Sequence, residues 1–236
     1  MSQQIVCTNS RNRPLSDSDF ARLQPHLEPV ELDLRMQLQE PGKPVEVVYF
    51  PESGVASIVA IGTDDRRIEA GLFGREGMSG TSVLLGNHSS PNETFIQVAG
   101  TGLVMPADPL SDALDGSSTL RTHLLLWVSV LLVQTAQTAL ANGRAKLEER
   151  PARWLLMCHD RVDGDEVVLT HEFLALMLGV RRPGVTDAIH ILEGHRTISG
   201  FRGRIVIRDR PALEAIAGGF YGVPEREYDR LIGPLN

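Results

Sequence analysis

The chain is poor in cysteine and in aromatic rings. Cys7 and Cys158 are the only two cysteines among 236 residues, and they lie far apart in unlike surroundings. Two cysteines are too few for a disulfide framework or a four-cysteine iron–sulfur site within one chain. Two lone cysteines suit a reducing cytosol. Aromatic residues make up 5% of the chain, so its core must be mainly aliphatic. Long apolar runs are scarce as well. The strongest, "LLLWVSVLLV" from Leu124 to Val133, is about half the length that spans a bilayer. The first residues, "MSQQIVCTNSRNRPLSD", contain no apolar stretch of the signal-peptide kind. The expectation is a cytoplasmic protein with no membrane attachment.

What is present is globular in balance, with 42% apolar and 22% charged residues. The length allows one large domain or two modest ones. A net charge of −7 argues against a polyanionic partner until its distribution is read. Residues 1–149 hold 11 basic against 18 acidic side chains, a balance of −7. Residues 181–210 hold 7 against 3, a balance of +4. Nucleic acid responds to the field of the docking face rather than to the chain total.

Residues 14–28 read as a short helix with Ser16 as N-cap, limited by Pro25. "ELDLRMQLQ" then alternates Leu32, Leu34, Met36 and Leu38 against polar residues, which predicts one strand. Further short runs, "VEVVYF", "GVASIVAIG", "RIEAGLF", "TFIQVAG" and "GLVMPA", are separated by Gly, Pro, Asn and Asp. That punctuation predicts an antiparallel sandwich or barrel. Between Thr119 and Leu147 there is no proline and one glycine, which predicts a long helix. Its first half is apolar almost all round, so it must be covered on several sides. Packing on its own barrel covers one, and a second copy of the same helix covers another.

The segment "LGVRRPGVTDAIHILE" begins at Leu178. Val185, Ala188, Ile189 and Leu192 fall at i, i+3, i+4 and i+7, one face of a helix. "LTHEFLALMLGV" precedes it, with Thr170 as expected N-cap and Gly179 at the turn. Helix, short glycine turn, helix is the helix-turn-helix spacing. In that motif the second helix lies in the major groove. Arg181, Arg182, Thr186, Asp187 and His190 are then left to face DNA. Pro183 biases its predecessor away from helical angles, which predicts a helix starting at Pro183 with Arg182 as N-cap. "TISGFRGRIVIRD" reads as a hairpin whose Arg202 and Arg204 grip phosphate.

These elements resemble the superfamily of the cyclic-AMP receptor and the fumarate–nitrate regulator (Crp/Fnr). The resemblance runs nearly the whole chain and is strongest over "LTHEFLALMLGVRRPGVTDAIHILEGHRTISGFRGRIVI". It implies an α+β fold in three parts. Residues 1–118 form an antiparallel β-roll sensor, a jelly roll of the cyclic-nucleotide-binding kind. Residues 119–147 form a dimerisation helix, and 148–236 a winged helix-turn-helix domain. It implies a homodimeric transcription regulator bound to double-stranded DNA, and it admits RNA polymerase as a partner. By the same match Arg182, Pro183 and Asp187 stand where family members touch bases, and His171 and Arg181 where they touch phosphate.

In the sensor part "FGREGMSG" resembles the turn that contacts the ribose of a cyclic nucleotide, with Glu76 beside Arg75 at that position. Thr94 fits the hydroxyl position of the phosphate-binding stretch, but Glu93 falls where arginine is needed. A carboxylate repels phosphate. No arginine or lysine lies between Arg75 and Arg121, so the sensor is not expected to bind cyclic AMP. No cofactor is expected either. A haem sensor would need an axial ligand such as His88 or His123. The rival reading is an enzyme on a cupin-like β-roll with an accessory helical domain. It would need clustered ligands, and His26, His88 and His123 are widely separated.

Overall fold

A computed structural model describes residues 15–169, 171–179 and 181–234, with the backbone alone at His171 and Glu172. Helix α1 (Asp17–Leu23) starts as its sequence directs, because Ser16 Oγ accepts from the Asp19 amide at 3.1 Å. The Asp19 carboxylate also accepts from the hydroxyls of Ser117 at 2.5 Å and Thr119 at 2.7 Å. These bonds tie the first helix to the start of the long one.

Seven strands follow: β1 (Glu28–Leu32), β2 (Gln37–Gln39), β3 (Val47–Pro51), β4 (Val55–Ile61), β5 (Arg67–Phe73), β6 (Glu93–Val98) and β7 (Gly100–Pro106). They make two antiparallel sheets, ordered β1–β7–β3 and β2–β6–β4–β5. Between the sheets lies an apolar core that includes Val48, Phe50, Ile96, Leu103 and Met105. "ELDLRMQLQ" is not the single strand its alternation predicts. A turn closed by the Met36 amide on the Asp33 carbonyl, at 2.9 Å, breaks it. Arg35 takes a left-handed φ of 71° there. The chain passes from one sheet to the other at this corner. Leu32 and Leu38 stay buried while Leu34 is exposed.

Two short helices, α2 (Thr81–Leu84) and α3 (Ala107–Gly116), precede the long helix α4 (Ser118–Arg144). Ser117 caps α4 by accepting from the Leu120 amide at 3.2 Å. The helix ends at Arg144, three residues before the sequence boundary at Leu147. Gly143 weakens its last turn, and Ala145 is extended with ψ 145°. By length and composition α4 could cross a membrane. Instead Leu120, Leu124, Trp127, Val128 and Val130 sit in the roll core.

The remainder comprises α5 (Glu149–His159), β8 (Glu166–Val168), α6 (His171–Leu178), α7 (Arg182–Gly194), β9 (Ile198–Phe201), β10 (Arg204–Ile207), α8 (Arg210–Ala217) and α9 (Val223–Leu231). Strands β8–β10–β9 form a small antiparallel sheet, and β9–β10 is the expected hairpin. A second core joins Trp154, Leu174, Val185, Ile189, Leu192 and Leu213 to Val55, Val59, Leu72 and Phe95 on the outer face of the roll. The helical domain is therefore docked on the β2–β6–β4–β5 sheet of the roll. Helix α9 leaves that domain and packs on α4, where Tyr228 and Ile232 enter the roll core.

Candidate DNA-reading face and sensor site

The helix-turn-helix is built as its periodicity requires. Gly179 takes φ 59°, a left-handed angle that favours glycine at this turn. Helix α7 buries Val185, Ala188, Ile189 and Leu192 against its own domain. Arg181, Arg182, Pro183, Asp187 and His190 are exposed, and Thr186 is half-buried with its hydroxyl 3.3 Å from the Arg182 carbonyl. The helix begins one residue earlier than expected. Arg181, at φ −74° and ψ 147°, is the N-cap and Arg182 is the first helical residue. Pro183 is tolerated in this first turn because its missing amide has no intrahelical partner to lose.

Arg202 is exposed beside Gly203 at the hairpin turn. Arg204 is less available. Its guanidinium lies 5.1 Å over the Phe201 ring and 3.5 Å from a Glu166 carboxylate oxygen. Thr170 and the side chain of His171 lie outside the described residues.

The four sensor residues singled out from the sequence do not form one site. Glu93 and Thr94 are neighbours on β6 and so point to opposite faces. Thr94 is buried on the Ile96 side, within the roll. Glu93 is on the outer face, where it pairs with Arg67 at 2.7 Å and accepts from Gln37 Nε2 at 3.3 Å. Glu76 pairs with Arg161 of the docked domain at 2.6 Å, with both side chains 5% exposed. Arg75 is half-buried, and its guanidinium donates to Asp163 at 2.7 Å and to the Arg161 carbonyl at 3.3 Å. Space beside the 74–77 turn is filled by the Trp127 indole, which lies so close that a Cβ on Gly77 would come within 2.4 Å of the ring. Phe73 packs edge-on against the same indole, with centroids 5.9 Å apart.

Sequence reading missed the charged seam that docks the two domains. Glu69 is buried and accepts from Ser57 Oγ at 2.7 Å and from Trp154 Nε1 at 2.9 Å. Burial pushes its pKa up to about 7, against the lowering pull of those hydrogen bonds and of Arg153 and Arg161. Arg153 donates to Thr138 Oγ1 at 3.1 Å and to the Phe220 carbonyl at 3.0 Å. A signal was present: Arg153 and Arg161 bracket the apolar run "WLLMC", and charges beside a wholly buried helix need buried partners. Cys158, in that run, is fully buried, and burial pushes its thiol well above the usual range. It packs as a small apolar group.

Residues 149–216 match the model of the Crp-like helix-turn-helix domain. This region is a Crp-like DNA-binding domain. No curated protein sequence matches the chain significantly. The fold is shared with FixK2 from Bradyrhizobium japonicum, at 17% identity and TM-score 0.68 over 82% of this chain and 98% of that one. It is also shared with a Crp/Fnr-family transcriptional regulator from Thermus thermophilus, at 19% identity and TM-score 0.64 over 80% and 98%. A third likeness is to the c-di-GMP-responsive global regulator Clp of Xanthomonas campestris, at 18% identity and TM-score 0.63 over 80% and 98%. The chain thus has the Crp/Fnr architecture from roll to wing. Its Crp-like domain ends in α8, and α9 lies beyond the matched residues.

Proposed function

We propose that this chain regulates transcription in the cytoplasm by binding an inverted-repeat operator as a homodimer, without cyclic AMP. The observation that carries the reading is the division of α7. Its apolar face is buried, while Arg181, Arg182, Pro183, Asp187 and His190 line the opposite face. Arginine bridges O6 and N7 of guanine or pairs with phosphate, and Arg202 on the wing adds a phosphate contact. Asp187 suits a cytosine amine.

Support for the dimer comes from α4. Leu125, Leu132, Ala136 and Leu140 fall on one exposed side of it, and Leu132 is 66% exposed. A second α4 covers that stripe, as an apolar helix face requires. Two α7 helices then enter successive major grooves, with half-site centres roughly one helical turn apart. The loss of cyclic-nucleotide binding is supported by the Trp127 indole beside the 74–77 turn, the Glu76–Arg161 pair and the outward Glu93.

Selection of bound sequences from random duplex DNA tests the reading. An inverted repeat is the expected product. Recovery of unrelated sequences, with affinity set by salt alone, would refute it.

A further inference from the structure

With the turn at 74–77 packed by Trp127, a small effector needs another entrance. A cleft of about 370 Å³ opens on the outer face of the roll where α6 crosses it. Arg35, Gln37, Arg67, Glu93 and Phe95 form its sensor side, and Phe173 and Leu176 its Crp-like side. That volume is in the range of sites for small organic ligands, roughly 300–1,000 Å³.

The lining divides into an apolar and a charged half. Phe95 and Phe173 are tilted 44° to one another with centroids 6.2 Å apart, and Leu176 continues the apolar wall. Across from them Arg67 is neutralised by Glu93, whose carboxylate also accepts from Gln37. Arg35 is different. Its guanidinium lies 4.9 Å from the Phe173 ring centroid, and among the described residues no carboxylate pairs with it. Its backbone is held at φ 71°, a region that L residues other than Asn and Asp seldom adopt. The corner between the two sheets imposes this angle, and it aims a cation into a partly apolar cleft. An exposed arginine usually wanders in solvent. One stacked on a ring beside an apolar wall offers a fixed fork to a planar anion.

We infer that this cleft binds a small aromatic carboxylate or phosphate, its ring against Phe95 and Phe173 and its anionic group on Arg35. The neutral amide of Gln37 and the Arg67–Glu93 pair remain for a polar substituent. Because the walls come from both domains, the occupant ties α6 to the sensor sheet. The site is separate from the ribose and phosphate positions that the sequence suggested inside the roll.

Calorimetric titration of the full chain with phenyl phosphate and with benzoate tests this, and no DNA is needed, so its failure is distinct from failure of the DNA reading. Saturable binding of at least one probe is expected, with benzyl alcohol weaker by on the order of tenfold or more because it carries no charge for Arg35. Arg35→Gln should weaken the anion by a similar factor, and Arg35→Lys should restore part of it. Arg35 is exposed, so both variants should retain the wild-type fold, which circular dichroism checks. Absence of saturable binding of both anions at millimolar concentration would overturn the assignment. So would equal binding to wild type and Arg35→Gln.

Discussion

Arg161 Nε donates to Glu76 Oε1 at 2.6 Å across the seam between the Crp-like domain and the roll. Arg161 also donates from Nη1 to the Met157 carbonyl at 2.7 Å, and the second Glu76 oxygen accepts from the Gly74 amide at 3.1 Å. Removing one partner leaves a buried charge unpaired. Arg161→Met should destabilise the protein by about 3–5 kcal/mol. The double variant Glu76→Gln/Arg161→Met should lose less than the single one. Urea titration of wild type, Glu76→Gln, Arg161→Met and the double variant, read as a double-mutant cycle, decides the point. Additive losses would mean that the pair is not coupled.

Glu69 makes the seam sensitive to pH. Its folded pKa of about 7 is above the 4.5 of a free glutamate side chain, so between these values the folded state holds a proton that the unfolded state has released. Stability from this group is complete below about pH 4.5, falls as pH rises, and is lost above about pH 7. The full span corresponds to about 3 kcal/mol for this wholly buried group. Glu69→Gln keeps acceptor oxygen for Ser57 and Trp154 but does not titrate. Denaturant melts of wild type and Glu69→Gln from pH 5 to pH 8 should therefore diverge, with the wild type losing more stability. Parallel curves would mean that Glu69 titrates alike in both states.

Arg182 and Arg202 should fail in different ways. Arg182→Ala should cost roughly 1–3 kcal/mol per half-site and relax preference at one base pair. Arg202→Ala should weaken all sequences alike and flatten the salt dependence. Titrations against the operator and its single-base variants separate these outcomes. Uniform weakening by Arg182→Ala would assign Arg182 to the DNA backbone.

Leu132 is the probe of the dimer. Leu131 is partly buried against the roll core, so a charge there strikes the fold. Leu132 is 66% exposed. Leu132→Asp should leave the monomer folded and weaken the dimer by on the order of 2 kcal/mol or more, because an unpaired carboxylate enters an apolar seam. Sedimentation at several concentrations reads the change. A wild-type chain that stays monomeric when concentrated removes the basis of the prediction.

Cyclic AMP should give no saturable heat at micromolar concentration, since Glu76 is held by Arg161 and Glu93 points away from the roll interior. A nucleotide-dependent gain in DNA affinity would contradict this.

Local pattern was enough for the elements that one helix face or one turn defines. Val185, Ala188, Ile189 and Leu192 are buried because their spacing puts them on one side, and no distant residue is needed to predict it. Ser16 caps α1, and Gly203 at φ 79° sits in the turn of the wing, for equally local reasons. Where local pattern met a corner it failed. The alternation of Leu32, Leu34, Met36 and Leu38 continues through a sheet crossing that only the left-handed Arg35 reveals. The partners of Glu76, Glu93 and Thr94 were not legible for a related reason: these residues are polar, and a polar residue type names no partner. Glu76 is paired with a residue 85 positions away, and α9 returns to α4 across most of the chain. Such pairings depend on the path of the backbone, set by burial of apolar area from distant segments at once. The sequence by itself determined the helix-turn-helix, its wing and the long apolar helix. Only the tertiary structure decided that Trp127 packs against the 74–77 turn, that a charged seam docks the Crp-like domain, and that Arg35 faces Phe173.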